Sequence, residues 1–135
     1  MLAFLIGVFL VLHGLVHLLY VALSRGLIDS EREIGWTGKS WLFSNLLGQA
    51  GTLRLASAAY TLATLAFIGG GVGILSGAHW WQTVTAGAAI LSSVVILLFW
   101  DGSTDRVVNK GLLGVLINVI ILAAVLGLRW LPTPS

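Results

Sequence analysis

The chain has no cysteine, one methionine at position 1, and two prolines, both among its last four residues. Without cysteine there is no disulfide, no thiol redox chemistry, no Cys-ligated zinc and no iron–sulfur cluster. A lone methionine gives no Met-rich copper site. Charge is equally scarce. Only 9% of residues are charged, against ~25% in a soluble domain, and mean hydropathy is +1.01. Such a chain cannot present a wetted surface all round. Its seven basic residues give a net charge of +2, but they form no stripe with interleaved aromatics, so a nucleic-acid partner has no support. A nucleotide has none either. No GxxxxGK[ST] loop occurs, and the cluster Gly69, Gly70, Gly71 and Gly73, at the end of an apolar run, reads as a tight helix end or close-packing surface.

What the chain does have is long apolar runs. Residues 2–24 hold no charged side chain. They lack the positive flank of a signal peptide and exceed its ~7–15-residue apolar core, so they read as a retained membrane span. Residues 55–100 carry no charge apart from a proton on His79, which fits two spans of ~20 residues joined by a turn near SGAHWW. The expected spans are 2–24, 53–75, 80–100 and 108–128, with Pro132 and Pro134 closing the last. All six tryptophans fall at span edges or in the first loop, as interface residues do. The fold class is therefore all-α: one polytopic integral membrane four-helix bundle spanning residues 1–135. Within the loop 25–52, Ser40 is placed to cap a short interfacial helix at about 41–48 carrying Trp41, Leu42, Phe43, Leu46 and Leu47.

Orientation follows from the basic residues. Arg25, Arg32, Lys39, Arg54, Arg106 and Lys110 lie in the first and third loops, and only Arg129 on the other side. The positive-inside rule then makes both of those loops cytoplasmic and both termini external, in a multi-pass protein of the cell (inner) membrane. Small residues mark the inward faces: Ser57, Thr61 and Thr64 on the second span, Thr85, Ala89 and Ser92 with Thr83 and Gly87 on the third, and Gly111, Gly114 and Asn118, then Ala123 and Gly127, on the fourth. Asp101, in LLFWDGSTDR, reads as a helix-ending turn paired with Arg54 or Arg106.

One polar stripe stands out. His13, His17, Tyr20 and Ser24 share a face of the first span, with the two histidines at i,i+4. Intramembrane ionisable groups are functional-site candidates by default. Asn118 on the fourth span and Tyr60 and Thr64 on the second lie at comparable depths, so His13, His17, Tyr20, Tyr60 and Asn118 form the candidate ligand-binding set. The structural alternative has an imidazole bonding Asn118 and accepting from Tyr60, locking the helices together. A third reading has His13 and His17 share a metal ion or bind haem. No span supplies Asp, Glu or Cys to complete that ligand set, and no cofactor is required by the sequence. A multidrug-type exchanger of similar size needs a carboxylate in its first helix, which this chain lacks.

The segments HGLVHLLY, SWLFS, HWWQ, LLFWDG and GLLGVLINVIIL together resemble a group of small bacterial four-span membrane proteins, loosely permease-like, and the architecture is similar in outline to DoxX-like proteins. The resemblance implies a compact four-helix membrane protein and carries no catalytic residue over. The expectation is a non-catalytic accessory or small-ligand-binding subunit in the lipid bilayer, as a homo-oligomer or part of a larger membrane complex. The alternative is a redox, metal- or haem-binding subunit using His13 and His17, and third comes a small transporter component.

Overall fold

The computed structural model describes residues 1–29 and 36–129, without the side chains of Leu128 and Arg129. Arg32, Trp130, Pro132 and Pro134, used above, lie outside the described residues. Four helices follow one another: α1 (Leu2–Ser24), α2 (Ser44–Leu75), α3 (Trp81–Leu98) and α4 (Leu113–Arg129), the last entered through a wide turn at Val108–Leu112. No strand occurs among the described residues. The stretches Leu2–Ser24, Ser44–Leu75, Trp81–Leu98 and Val108–Gly127 are each long and apolar enough to cross a membrane. Even the shortest, at 18 residues, reaches ~27 Å at ~1.5 Å per residue, against a hydrocarbon core of ~30 Å.

The burial pattern is that of a bundle turned inside out. On α1 the buried positions are Gly7, Leu10, His13, Gly14, His17, Leu23 and Ser24, small or polar for the most part. Phe4, Leu5, Leu12, Val16 and Leu19 point outward. On α3 the inward face is Thr85, Ala88, Ala89, Ser92, Val95 and Ile96. Small inward residues let backbones approach, and glycine does most at the α1–α2 contact. A Cβ on Gly71 would lie 2.7 Å from the Gly7 carbonyl oxygen, and one on Gly14 2.8 Å from Phe67 Cβ. The glycine cluster is thus a packing surface: Gly71 faces α1, Gly70 faces Thr85 and Gly73 faces Trp80 and Trp81.

Three details bear on expectation. In the expected short-helix segment at 41–48 a single helical turn forms, set off from the longer helix that follows by a kink at Gly48. Ser40 Oγ accepts from the Leu42 and Phe43 N–H groups, one helical turn follows from Ser44, and Gly48, at φ 70°, bends the backbone before α2 continues. On α4 the inward stripe runs Gly111, Asn118, Ile121 and Val125, while Ala123 and Gly127 are exposed. At 3.6 residues per turn the steps from Asn118 to Ile121 and Val125 stay on one face. Thr83 and Gly87 of α3 are exposed as well.

The helices pack in chain order, α1 on α2, α2 on α3 and α3 on α4, while α1 and α4 meet far less. The ring is thus incompletely closed, and a seam runs between the first and last helices. The first and third loops meet at one end of the bundle. There Trp36 Nε1 donates to the Phe99 carbonyl, Trp41 Nε1 to the Leu97 carbonyl, and Thr37 N–H to Asp101.

Candidate functional site

α1 carries His13 and His17 on its inward face because Gly7, Leu10, His13, Gly14 and His17 recur every three or four residues. α3 brings Ser92 and α4 brings Asn118 to the same level, exposed by 0% and 1%. The hydrogen-bond directions follow from the one group that can only accept. His17 Nδ1 lies 3.1 Å from the His13 carbonyl oxygen, so Nδ1 carries the proton. In the neutral ring Nε2 is then a lone pair, and at 2.5 Å it accepts from the Ser92 hydroxyl. Having spent its proton, Ser92 Oγ accepts from Asn118 Nδ2 at 2.9 Å. The amide so turned offers Oδ1 to His13 Nε2 at 2.8 Å, so His13 donates from Nε2. The bonds run from the His13 ring through Asn118, Ser92 and His17 back to the His13 carbonyl.

This arrangement leaves His13 Nδ1 as the one uncommitted imidazole nitrogen of the pair. Among the described residues Thr85 Oγ1 is the only fully enclosed side-chain nitrogen or oxygen without a partner. His13 Nδ1, on a ring that is not completely enclosed, also has no hydrogen-bond partner among the described residues. Beside it lies a cleft of about 380 Å³ in the α1–α4 seam. Its walls include His13, His17 and Tyr20 of α1, Asn109 before α4, and Gly114 and Ile117 of α4. The Tyr20 hydroxyl donates to the Asn109 carbonyl at 3.1 Å, closing the seam at one point.

The five expected site residues therefore separate into two groups. His13, His17 and Tyr20 line the cleft, whereas Asn118 and Tyr60 do not. Tyr60 does not donate to either imidazole. Its ring stacks on Tyr20 at 4.8 Å, and its hydroxyl makes no hydrogen bond among the described residues. Thr64 bonds back to the Tyr60 carbonyl within its own helix. The sequence marks Ser92, the hub of the network, only as a small packing residue. Its mid-helix position, level with Asn118, was the available signal.

The metal reading meets a geometric obstacle. Both Nε2 atoms are engaged, and the rings stand edge-on with centroids 5.4 Å apart. Among the described residues no three His, Cys, Asp or Glu side chains cluster as metal ligands would. His79 lies in the turn between α2 and α3, at the other end of the bundle.

Asp101 pairs with Lys110 at 3.1 Å, in place of the expected Arg54 or Arg106, and both side chains are almost fully buried. Burial pushes the Asp101 carboxyl upward, but the Ser103 N–H, Lys110 and the Thr37 N–H together hold it below the usual carboxylate range. Gly111, at φ 126°, turns the chain there, a conformation that favours glycine. The pair binds the end of α3, the first loop and the start of α4, and makes Asp101 structural.

No protein family, curated protein or solved structure matches the chain.

Proposed function

We propose that this is a multi-pass membrane protein with a non-catalytic role, an accessory subunit that binds a small lipid-soluble molecule entering sideways through the α1–α4 seam. The supporting observation is His13, whose Nδ1 has no hydrogen-bond partner among the described residues, on the wall of a cleft whose volume, about 380 Å³, falls within the ~300–1,000 Å³ of small-molecule sites. A lone pair takes a donor. Tyr20 adds a second acceptor, since its own proton is spent on Asn109. The ligand class is therefore an amphipathic molecule with an alcoholic or phenolic hydroxyl on an apolar body. The remaining network atoms hold the two rings in place. In this reading the end bearing the first and third loops is cytoplasmic, the termini are external, and further copies or partner subunits cover part of the apolar exterior.

The test is to purify the protein in mild detergent, extract bound lipophiles and identify them by mass spectrometry, in wild type and in His13→Gln/His17→Gln. A hydroxylated lipophile should accompany the wild type at near one per chain and be lost from the double variant. Equal recovery from both would sink the ligand site and leave the histidines as helix-locking residues. An absorption spectrum and metal analysis of the same samples address the other reading: a Soret band or stoichiometric metal would replace this proposal with a haem or metal subunit.

A further inference from the structure

A second cleft, of about 410 Å³, lies at the loop-bearing end between α1 and α2, lined by Ser24, Arg25, Leu27, Leu53, Arg54 and Ser57. It is separate from the α1–α4 seam. Arg25 Nε donates to Ser57 Oγ at 2.9 Å, fixing one guanidinium against α2. Four N–H donors of that guanidinium remain. Arg54 is exposed and has no hydrogen bond or ion pair among the described residues. Ser57 is only 3% exposed, and with its oxygen accepting from Arg25 its hydrogen is available to an acceptor in the cleft. Ser24 is committed to the Tyr20 carbonyl. No carboxylate among the described residues lines this cleft. Asp29, the nearest along the chain, lines the neighbouring one with Thr37 and Gln49.

Two guanidinia and a buried hydroxyl donor make an oxyanion site, since arginine's planar fork matches phosphate oxygens. The place in the chain says where the oxyanion comes from. Arg25 is the first charge after the uncharged stretch of residues 2–24, and Arg54 the last before the uncharged residues 55–100. On the membrane reading, on which this rests, both lie in the headgroup layer, with Leu27 and Leu53 beside them as apolar walls. We infer that the cleft holds the phosphodiester of an anionic phospholipid, clamped between Arg25 and Arg54.

The experiment is native mass spectrometry of the chain in neutral detergent, titrated with phosphatidylglycerol or with phosphatidylcholine of the same acyl chains. One phosphatidylglycerol should be retained per chain where phosphatidylcholine is not. Arg54→Gln should weaken its binding about fivefold, the effect of one basic residue at an anionic surface, and Arg25→Gln/Arg54→Gln more than tenfold. Arg54 is exposed and makes no hydrogen bond or ion pair among the described residues, so Arg54→Gln should unfold near the wild-type temperature and its loss of lipid reports on the cleft. Equal retention of the two lipids, or phosphatidylglycerol binding unchanged in the double variant, overturns the inference. Displacement of the lipid by millimolar inorganic phosphate would mark a free-anion site and also overturn it. A protein that stays dispersed without detergent would instead overturn the membrane reading.

Discussion

Ser92 and Thr85 lie two turns apart on the inward face of α3, both fully buried, and their hydroxyls have opposite circumstances. Ser92 accepts from Asn118 and donates to His17, whereas Thr85 Oγ1 has no partner. Substituting each hydroxyl separates the energetics of the polar network from those of packing. Ser92→Ala deletes two interhelical bonds. At ~0.6 kcal/mol each, the average for membrane helices, the loss is about 1.2 kcal/mol. The stranded His17 acceptor raises the upper bound to about 3 kcal/mol. Asn118 keeps a weaker donation to Ser93 at 3.3 Å, which holds the loss below that bound. Thr85→Val keeps the shape and removes an unsatisfied buried group, so it should be neutral or stabilising by up to about 1 kcal/mol. The measurement is reversible unfolding in mixed micelles, titrated with SDS and followed by tryptophan fluorescence. Ser92→Ala/Asn118→Ala should cost less than the sum of the single changes, since both remove the same bond. If Thr85→Val destabilises as much as Ser92→Ala, the network is not what fixes α1, α3 and α4 together, and the argument fails.

Three further outcomes are expected. Gly114→Leu should lower thermal stability in detergent by ~1–3 kcal/mol, because a Cβ there already meets Ile96 at 3.3 Å, while Val119→Leu, on the exposed face, should change little; equal melting of the two would remove the inward assignment of Gly114. Single cysteines at Thr104 and Ser76 should label from opposite faces of the membrane, Thr104 from the cytoplasm, and labelling from one face would refute the topology. The Asp101 carboxyl is held below its ordinary value in the folded protein, so its contribution is complete above the unfolded pKa near ~3.9 and is lost as pH falls through the lower folded value. Acid unfolding should therefore shift to higher pH when Lys110→Met removes the ammonium, with a loss of about 1–3 kcal/mol at neutral pH because the Ser103 and Thr37 N–H groups still bond the carboxylate; an unchanged acid transition would show that the pair contributes nothing.

Much of the helical plan could be read from the sequence, because it depends on charge-free length and on periodicity, both local. The shared face of His13 and His17 follows from an i,i+4 spacing, and Asn118 is the most polar residue in the last apolar run. What escaped depends on how separate segments meet. Lys110 becomes the partner of Asp101 because Gly111 turns the chain just there, which no 3.6-residue pattern encodes. Ser92 rather than Tyr60 serves His17 because α3, not α2, presents a hydroxyl at the Nε2 edge. The close approach of Gly7 to Gly71 is invisible in either helix alone. Gly48, at φ 70° and ψ 178°, interrupts the helix between the turn at 44–47 and the span that follows, a break that the apolar pattern of 41–48 does not mark.

The seam between α1 and α4 also has a consequence for how the chain is made. Synthesis delivers α1 and α2 first, and their glycine contact needs nothing from the rest. Ser92 reaches His17 only once α3 has emerged, and His13 waits longer for Asn118. For that interval both rings already rest on Phe67 of α2 with their Nε2 atoms unpartnered, and the polar circuit closes only when the last helix docks.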